Sequence, residues 1–228
     1  MFDRLKLITD DKLLNAFKNT KILLVGVGGV GGYALECLAR SGFLNITIID
    51  HDTVDLSNLN RQIISLRSNI GFKKVDIAKK RALDINPEAN INIIDDFLLP
   101  DNIDNLLKDK YDYIIDACDT ITAKVELIRY ANIHNIKLIT SMGTGNRFDS
   151  TKLAITKLNK TYNDPLAKNL RRILKEKNIK VNPNVIWSSE LPIKTHNRTP
   201  GSIILVPMQA GNLCASFIIN DIKKELFK

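Results

Sequence analysis

Residues 21–32 read KILLVGVGGVGG. Ile22, Leu23, Leu24 and Val25 form an unbroken apolar run, the pattern of a parallel strand buried on both faces. Glycines follow at Gly26, Gly28, Gly29 and Gly31, and 26–31 satisfies GxGxxG. Such glycines permit a tight turn and let the backbone approach a phosphate. The phosphate then meets the N–H groups and positive dipole end of the next helix. Tyr33, Ala34, Cys37 and Leu38 recur at helical spacing within 29–41 and supply that helix. Residues 45–50, NITIID, read as a second strand whose terminal Asp50 is placed to accept from ribose hydroxyls. Together these features predict a nucleotide site on a Rossmann-like α/β fold.

Outward from this unit, strand and helix patterns alternate. Residues 73–85 are helical, with Val75, Ala78, Ala82 and Ile85 on one side and Asn86-Pro87 as the stop. Strands are expected at 91–95, 111–116 and 136–141, and helices at 101–107 and 122–134. This order implies a mostly parallel sheet with helices on both faces. After Gly143 the texture changes. A strand is expected at 153–158, then a helix capped by Asp164 with Pro165 at its first position, running to about residue 177. Strands at 185–189 and 203–206 and a long helix from about Met208 complete the chain. No Ser-, Gly- or Pro-rich linker divides it. The expectation is one domain over 1–228, with a nucleotide-binding part at 1–143. Residues 144–228 form a substrate-binding extension with antiparallel strands and the C-terminal helix.

A chain of 228 residues can bury a sizeable core. Its 44% apolar and 25% charged residues are those of an ordinary globular protein, which excludes dominant disorder. The apolar runs at 22–30 and 202–208 fall short of the roughly 18 residues a membrane helix needs. MFDRLKLITDDK at the N-terminus lacks a signal-peptide core. Cys37, Cys118 and Cys214 form no CxxC pair, which points to a reducing, cytoplasmic setting. Cys37 and Cys214 fall on apolar helix faces as packing residues, and Cys118 adjoins Asp119.

The net charge is +8, and residues 157–180 alone carry eight basic and two acidic side chains. Within the helix expected there, Lys168, Arg172 and Lys175 share a face and Arg171 is adjacent. Such a block suits a polyanion, nucleic acid or anionic lipid, or is simply a solvated face. After Asp50 comes a polar loop, Asp52-Thr53-Val54-Asp55-Leu56-Ser57-Asn58-Leu59-Asn60-Arg61-Gln62. Hydride transfer has no need of it. Asn amides and an Arg fork suit a triphosphate. Lys74 adds a cation at a helix start. Asp119, in Asp116-Ala117-Cys118-Asp119, lies where a carboxylate beside phosphates calls for Mg²⁺. Taken singly, Arg61 and Lys74 also read as surface cations and Asp119 as a helix cap.

These residues carry a resemblance. The glycine turn, the run Asp50-x-Asp52-x-Val54-x-x-Ser57-Asn58-x-x-Arg61-Gln62, Gly71-x-x-Lys74-Val75 and Asp116-x-x-Asp119 resemble the ThiF-type adenylating domains of the ubiquitin-activating-enzyme-like superfamily. The likeness runs from Phe2 to the C-terminus. It implies ATP and Mg²⁺, with Gly26, Gly28, Gly29, Gly31, Asp50, Asp52, Asn58, Gln62 and Lys74 at the nucleotide. It further implies that Arg61 and Lys74 stabilise charge at the α-phosphorus and that Asp119 holds the metal. Arg4 resembles an arginine that such enzymes insert into the neighbouring subunit's site, which implies a homodimer.

The second half separates branches. Zinc-binding CxxC pairs are absent, and so is a long catalytic-cysteine domain. Thr161-x-x-Asp164-Pro165-Leu166, Leu170-Arg171-Arg172, Ser188-Ser189-Glu190 and Pro200-Gly201-Ser202 are similar to the tRNA threonylcarbamoyladenosine dehydratases. That similarity implies a tRNA substrate, with Lys168, Arg171, Arg172 and Lys175 on its phosphates, no catalytic thiol, and room for sulfur- or redox-pathway partner proteins. The alternatives are a sulfur-carrier adenylyltransferase acting on a C-terminal Gly-Gly, and a non-catalytic nucleotide-binding scaffold.

Overall fold

The structure, a computed structural model, describes residues 1–196 and 199–227. Two N-terminal helices come first, α1 (Asp3–Lys6) and α2 (Asp11–Asn19). Neither was expected, because charged residues interrupt the apolar ones there. The signal for α2 is its cap: the Asp10 carboxylate accepts from the Leu13 N–H at 2.8 Å, and Leu13, Leu14 and Phe17 then face inward.

The glycine turn joins β1 (Lys21–Val25) to α3 (Gly31–Arg40), and β2 (Asn45–Ile49) follows. Then come α4 (Lys74–Ile85), β3 (Asn90–Ile94), α5 (Ile103–Leu106), β4 (Tyr113–Asp116), α6 (Ile121–Ile133) and β5 (Lys137–Ser141). The chain ends with β6 (Leu153–Lys157), α7 (Pro165–Glu176), β7 (Asn184–Ser188) and α8 (Leu205–Leu226). One seven-stranded sheet results, ordered β3-β2-β1-β4-β5-β7-β6. All pairs are parallel except β6 with β7. This is the expected Rossmann-like α/β arrangement, extended at one side by an antiparallel pair.

Successive residues of a strand face opposite sides of a sheet. Ile22 and Leu24 therefore join the core under α2, α3, α4 and α8, and Leu23 and Val25 join the core under α5, α6 and α7. The chain builds outward from β1 to β3 and then returns to lay β4 on β1's other side. That reversal opens a crevice at the carboxyl ends of β1 and β4, where doubly wound sheets bind ligands.

One expected strand is absent. Residues 203–206 are not extended in the sheet, and α8 begins at Leu205 rather than near Met208. A short apolar run cannot by itself distinguish a strand from a buried helix start. Here Pro207 falls in the first helical turn, where its missing N–H has no carbonyl to meet. α8 lies along α3. Gly211 sets their approach, since a Cβ there would stand 2.3 Å from the Val30 carbonyl oxygen. Among the described residues, no helix is long and apolar enough to cross a membrane.

Candidate active site

The crevice is a cleft of about 310 Å³. Its floor is the glycine turn. A Cβ on Gly31 would lie 1.8 Å from the Gly26 carbonyl oxygen, so the turn closes only with glycine there. Gly28, Gly29 and Val30 line the cleft just before the N-terminus of α3, where the helix dipole favours an anion.

Asp50 ends the second strand with its carboxylate held by two backbone donors. The Val27 N–H donates at 2.8 Å and the Asp52 N–H at 2.9 Å. This fixes the carboxylate at the cleft wall with lone pairs to spare for hydroxyl donors. Lys74, at the first position of α4, is buried, and its ammonium lies 2.7 Å from the Asp52 carboxylate. Burial works to raise the Asp52 carboxyl, but the Lys74 hydrogen bond and charge outweigh it and hold it below the usual carboxylate range.

The polar loop owes its shape to its own side chains. Asp55 accepts from the Ser57 N–H at 2.8 Å, and the Asn58 Oδ1 accepts from the Asp55 N–H at 3.1 Å. This reciprocal box turns the chain so that Asn58, Arg61 and Gln62 all reach the cleft. The Arg61 guanidinium donates to the Ser57 carbonyl at 2.8 Å and to Asn60 at 3.1 Å, which leaves other N–H groups for a ligand.

Asp119 lies exposed on the opposite wall, beyond β4. Among the described residues its carboxylate pairs with no cation and accepts only from the Thr120 hydroxyl, at 3.5 Å. The nucleotide residues expected from sequence, Gly26, Gly28, Gly29, Asp50, Asp52, Asn58, Arg61, Gln62, Lys74 and Asp119, thus line one cleft, and Gly31 closes the turn beneath it.

Arg4 is not among the lining residues. It is exposed on α1, whose neighbour Phe2 packs against Gly42, beyond the C-terminus of α3 and therefore at the far edge of the sheet. On α7, Lys168, Arg172 and Lys175 are exposed. Arg171 differs: it is half-buried, and its guanidinium turns inward to the Leu158 and Thr161 carbonyls and the Thr161 hydroxyl.

Several lining residues were not expected at the site. Phe97 and Leu98 come from the turn after β3, and the His51 ring meets Phe97 edge-on at 4.5 Å. Thr144 and Ser202 form the rim towards the C-terminal part, and the Asn60 side chain donates to the Ser202 carbonyl at 2.9 Å. Beneath the cleft, the Lys124 ammonium lies 3.1 Å from Asp116, and neither side chain is exposed. It also donates to the Ser141 carbonyl at 2.8 Å, and Asp116 further accepts from Thr140. A lysine on the buried side of an apolar helix was the available signal. Burial pulls the Lys124 ammonium down, but the Asp116 charge prevails and keeps it raised and protonated.

Cys118 also lines the cleft. Burial and then the adjacent Asp116 charge push its thiol well above the ordinary value. Burial likewise raises Cys37, and pushes Cys214 up to about 12. At neutral pH none of the three offers a thiolate nucleophile.

The model of the ThiF family matches residues 3–218. The tRNA threonylcarbamoyladenosine dehydratase of Bacillus subtilis (strain 168) is 36% identical, over 99% of this chain and 95% of its own length. The Escherichia coli (strain K12) protein of the same name is 38% identical, over 90% of this chain and 75% of its own. A crystal structure of the E. coli tRNA N6-threonylcarbamoyladenosine dehydratase in complex with ATP superimposes with a TM-score of 0.92. The two are 35% identical, and the match covers 99% of this chain and 94% of that one. Three adenylyltransferases, from Porphyra purpurea, Ogataea parapolymorpha and Lodderomyces elongisporus, match 46–56% of this chain. With its nucleotide cleft at the sheet's reversal and relatives that match nearly end to end, the chain belongs to the ThiF family and, within it, to the tRNA threonylcarbamoyladenosine dehydratases.

Proposed function

We propose that the protein cyclises threonylcarbamoyladenosine next to the anticodon of tRNA, using ATP as a substrate. The observation that carries this reading is the convergence of the glycine turn, Asp50, Asn58, Arg61, Lys74 and Asp119 on one cleft. The modified adenosine's carboxylate attacks the α-phosphorus of ATP and pyrophosphate leaves. A neighbouring group of the same nucleoside then captures the activated carbonyl, closing a ring and releasing AMP.

The chain's own contribution is positional and electrostatic. Asp50 accepts from the ribose. The glycine-turn amides, Asn58, Arg61 and Lys74 face the charge that builds on the phosphates. Lys74 reaches them by exchanging its present partner Asp52. Asp119, a carboxylate on the cleft wall with no cation beside it among the described residues, has the donor chemistry of a hard dication's ligand and would hold Mg²⁺. When bound, Mg²⁺ neutralises phosphate charge. Holding carboxylate and capturing group together does the rest. Protonated Cys118 takes no part, in keeping with ring closure inside the substrate.

The wider reading is a cytoplasmic homodimer. Arg4 completes the partner's cleft, since it lies across the sheet from its own. The exposed row Lys168, Arg172 and Lys175 faces tRNA phosphates. Arg171 serves that row indirectly, by fixing the turn before α7.

The test is mass analysis of nucleosides from threonylcarbamoyladenosine-bearing tRNA after incubation with the protein and ATP. Loss of the mass of one water from the modified nucleoside, with AMP and pyrophosphate formed, is expected. Unaltered nucleosides, with ATP consumed only when a Gly-Gly carrier protein is added, would replace this reading by the adenylyltransferase one.

A further inference from the structure

Just before α7 the chain makes a turn, residues 161–164, that is tied down from every side. The Thr161 hydroxyl donates to the Leu158 carbonyl at 2.8 Å, and Arg171 donates to the Thr161 carbonyl at 3.1 Å. The Trp187 indole donates to the Tyr162 carbonyl at 2.7 Å. Arg147, buried to 2% exposure, donates to the Asn163 carbonyl at 3.0 Å and reaches the Asp164 carboxylate. Asn163 takes the left-handed conformation, φ +53°, and donates to the Ser189 carbonyl. Asp164 caps α7 through the Ala167 N–H.

What this turn holds up is the ring of Tyr162. Tyr162 is 56% exposed, and its ring meets buried Trp187 edge-to-face at 4.6 Å between centroids. A single exposed aromatic needs no explanation. Two arginines and the molecule's one tryptophan fastening the backbone beneath it do need one. A ring fixed in advance loses little conformational freedom when a flat partner stacks on it.

We infer that Tyr162 is a stacking platform for an unpaired nucleobase of the substrate RNA, within about three nucleotides of the one that enters the cleft. The inference rests on the tRNA reading above and names a contact within it. Asp164 accepts from the Gly143 N–H at 3.2 Å, and the next residue, Thr144, is on the cleft rim. Trp187 belongs to β7, two strands from β4, or about 10 Å. That is roughly three stacked nucleotides at about 3.4 Å each. A strand leaving the cleft past Tyr162 runs onto exposed Lys168, Arg172 and Lys175. Flat aromatic next to basic helix is the combination that unpaired RNA recognises: bases stack and phosphates pair.

The test compares the parent, Tyr162→Phe and Tyr162→Leu on an anticodon stem-loop RNA carrying threonylcarbamoyladenosine. Affinity is measured at several salt concentrations. Tyr162→Leu keeps an apolar side chain there but loses the flat face. It should lose roughly 5- to 150-fold in RNA affinity, the effect of one base–aromatic stack, with its salt slope and ATP affinity unchanged. Tyr162→Phe should bind like the parent. A second readout needs no variant: 2-aminopurine placed in turn at each of the roughly three flanking nucleotides on either side of the modified adenosine should be quenched at one of them when the parent binds. Parent-like RNA affinity in Tyr162→Leu, or no quench at any flanking position, overturns the inference and leaves the dehydratase reading standing. A parent protein that neither binds nor modifies the RNA overturns both.

Discussion

Asp116 and Lys124 face one another at 3.1 Å with no exposure. Removing one member of such a pair strands the other's charge away from water. Lys124→Met should therefore cost about 3–5 kcal/mol of stability, while Asp116→Ala with Lys124→Met together should cost less than the sum of the single changes. Urea unfolding at unchanged slope checks this. A loss in Lys124→Met of under about 1 kcal/mol means that the pair is not the anchor under the cleft. Arg61 stands in the opposite position. It lies half-buried in a loop and among the described residues bonds only to neighbours within it, so Arg61→Ala should fold normally. Its turnover should fall roughly 10²- to 10³-fold, as when one charge-assisted hydrogen bond aligned on the transition state is removed. Near-parental turnover would remove Arg61 from the chemistry. Of these residues, Arg61 was legible in the sequence and the Asp116–Lys124 pair was not. Spacing announces a loop of polar side chains, whereas only the strand-to-helix packing brings Asp116 and Lys124 face to face.

At the scale of elements, α7 is the clearest case of a helix written locally. Asp164 caps it, Pro165 opens it, and Ala167, Leu170 and Leu174 bury its inner side. Its outer side carries Lys168, Arg172 and Lys175, with Arg172 also paired to Glu176 at 2.5 Å. An exposed i,i+4 pair of that kind is worth only about 0.3–0.5 kcal/mol, so a phosphate can displace it. Changing Lys168, Arg172 and Lys175 together to Gln keeps good helix formers in place. Each phosphate left without its cation should flatten the log–log dependence of tRNA affinity on salt by about 0.7–0.9. ATP affinity should not move, because the cleft lies on other elements. Filter binding across salt concentrations reads the slope, and an unchanged slope in the triple variant makes this a solvated face. The start of α8 was the converse case. Its first residues look like a strand in isolation and become helix because α8 packs along α3, with Ala210 buried and Gly211 against Val30.

The whole molecule places Arg4 and the cleft at opposite edges of one sheet. The segment after Arg4 also leaves Leu7 and Ile8 more than 80% exposed, as a surface covered by another copy would. If Arg4 acts in the partner's site, Arg4→Ala and Arg61→Ala proteins should each be inactive alone. Mixed after subunit exchange, they should regain roughly a quarter of parental turnover. Half of a two-fold symmetric population is then mixed, and each mixed dimer holds one intact site. No recovery, with exchange shown by mass, would place Arg4 outside catalysis.

The sequence by itself determined the first strand, its glycine turn and helix, the strand-ending Asp50 and the cap of α7. Each is a local event, set by a period, a cap or a missing Cβ within a few residues. It also marked Asn58, Arg61, Gln62, Lys74 and Asp119, since they fall in a polar loop after a strand, at a helix start and after the fourth strand, where such side chains suit phosphates and a metal. Tertiary structure alone decided that β7 lies beside β5, that Lys124 meets Asp116, that Arg171 turns inward and that Arg4 lies outside the cleft. It alone mounted Tyr162 on Trp187. These depend on which distant segments share a boundary. The free energy that selects them comes from burying charge and apolar surface across the sheet, which no local pattern encodes.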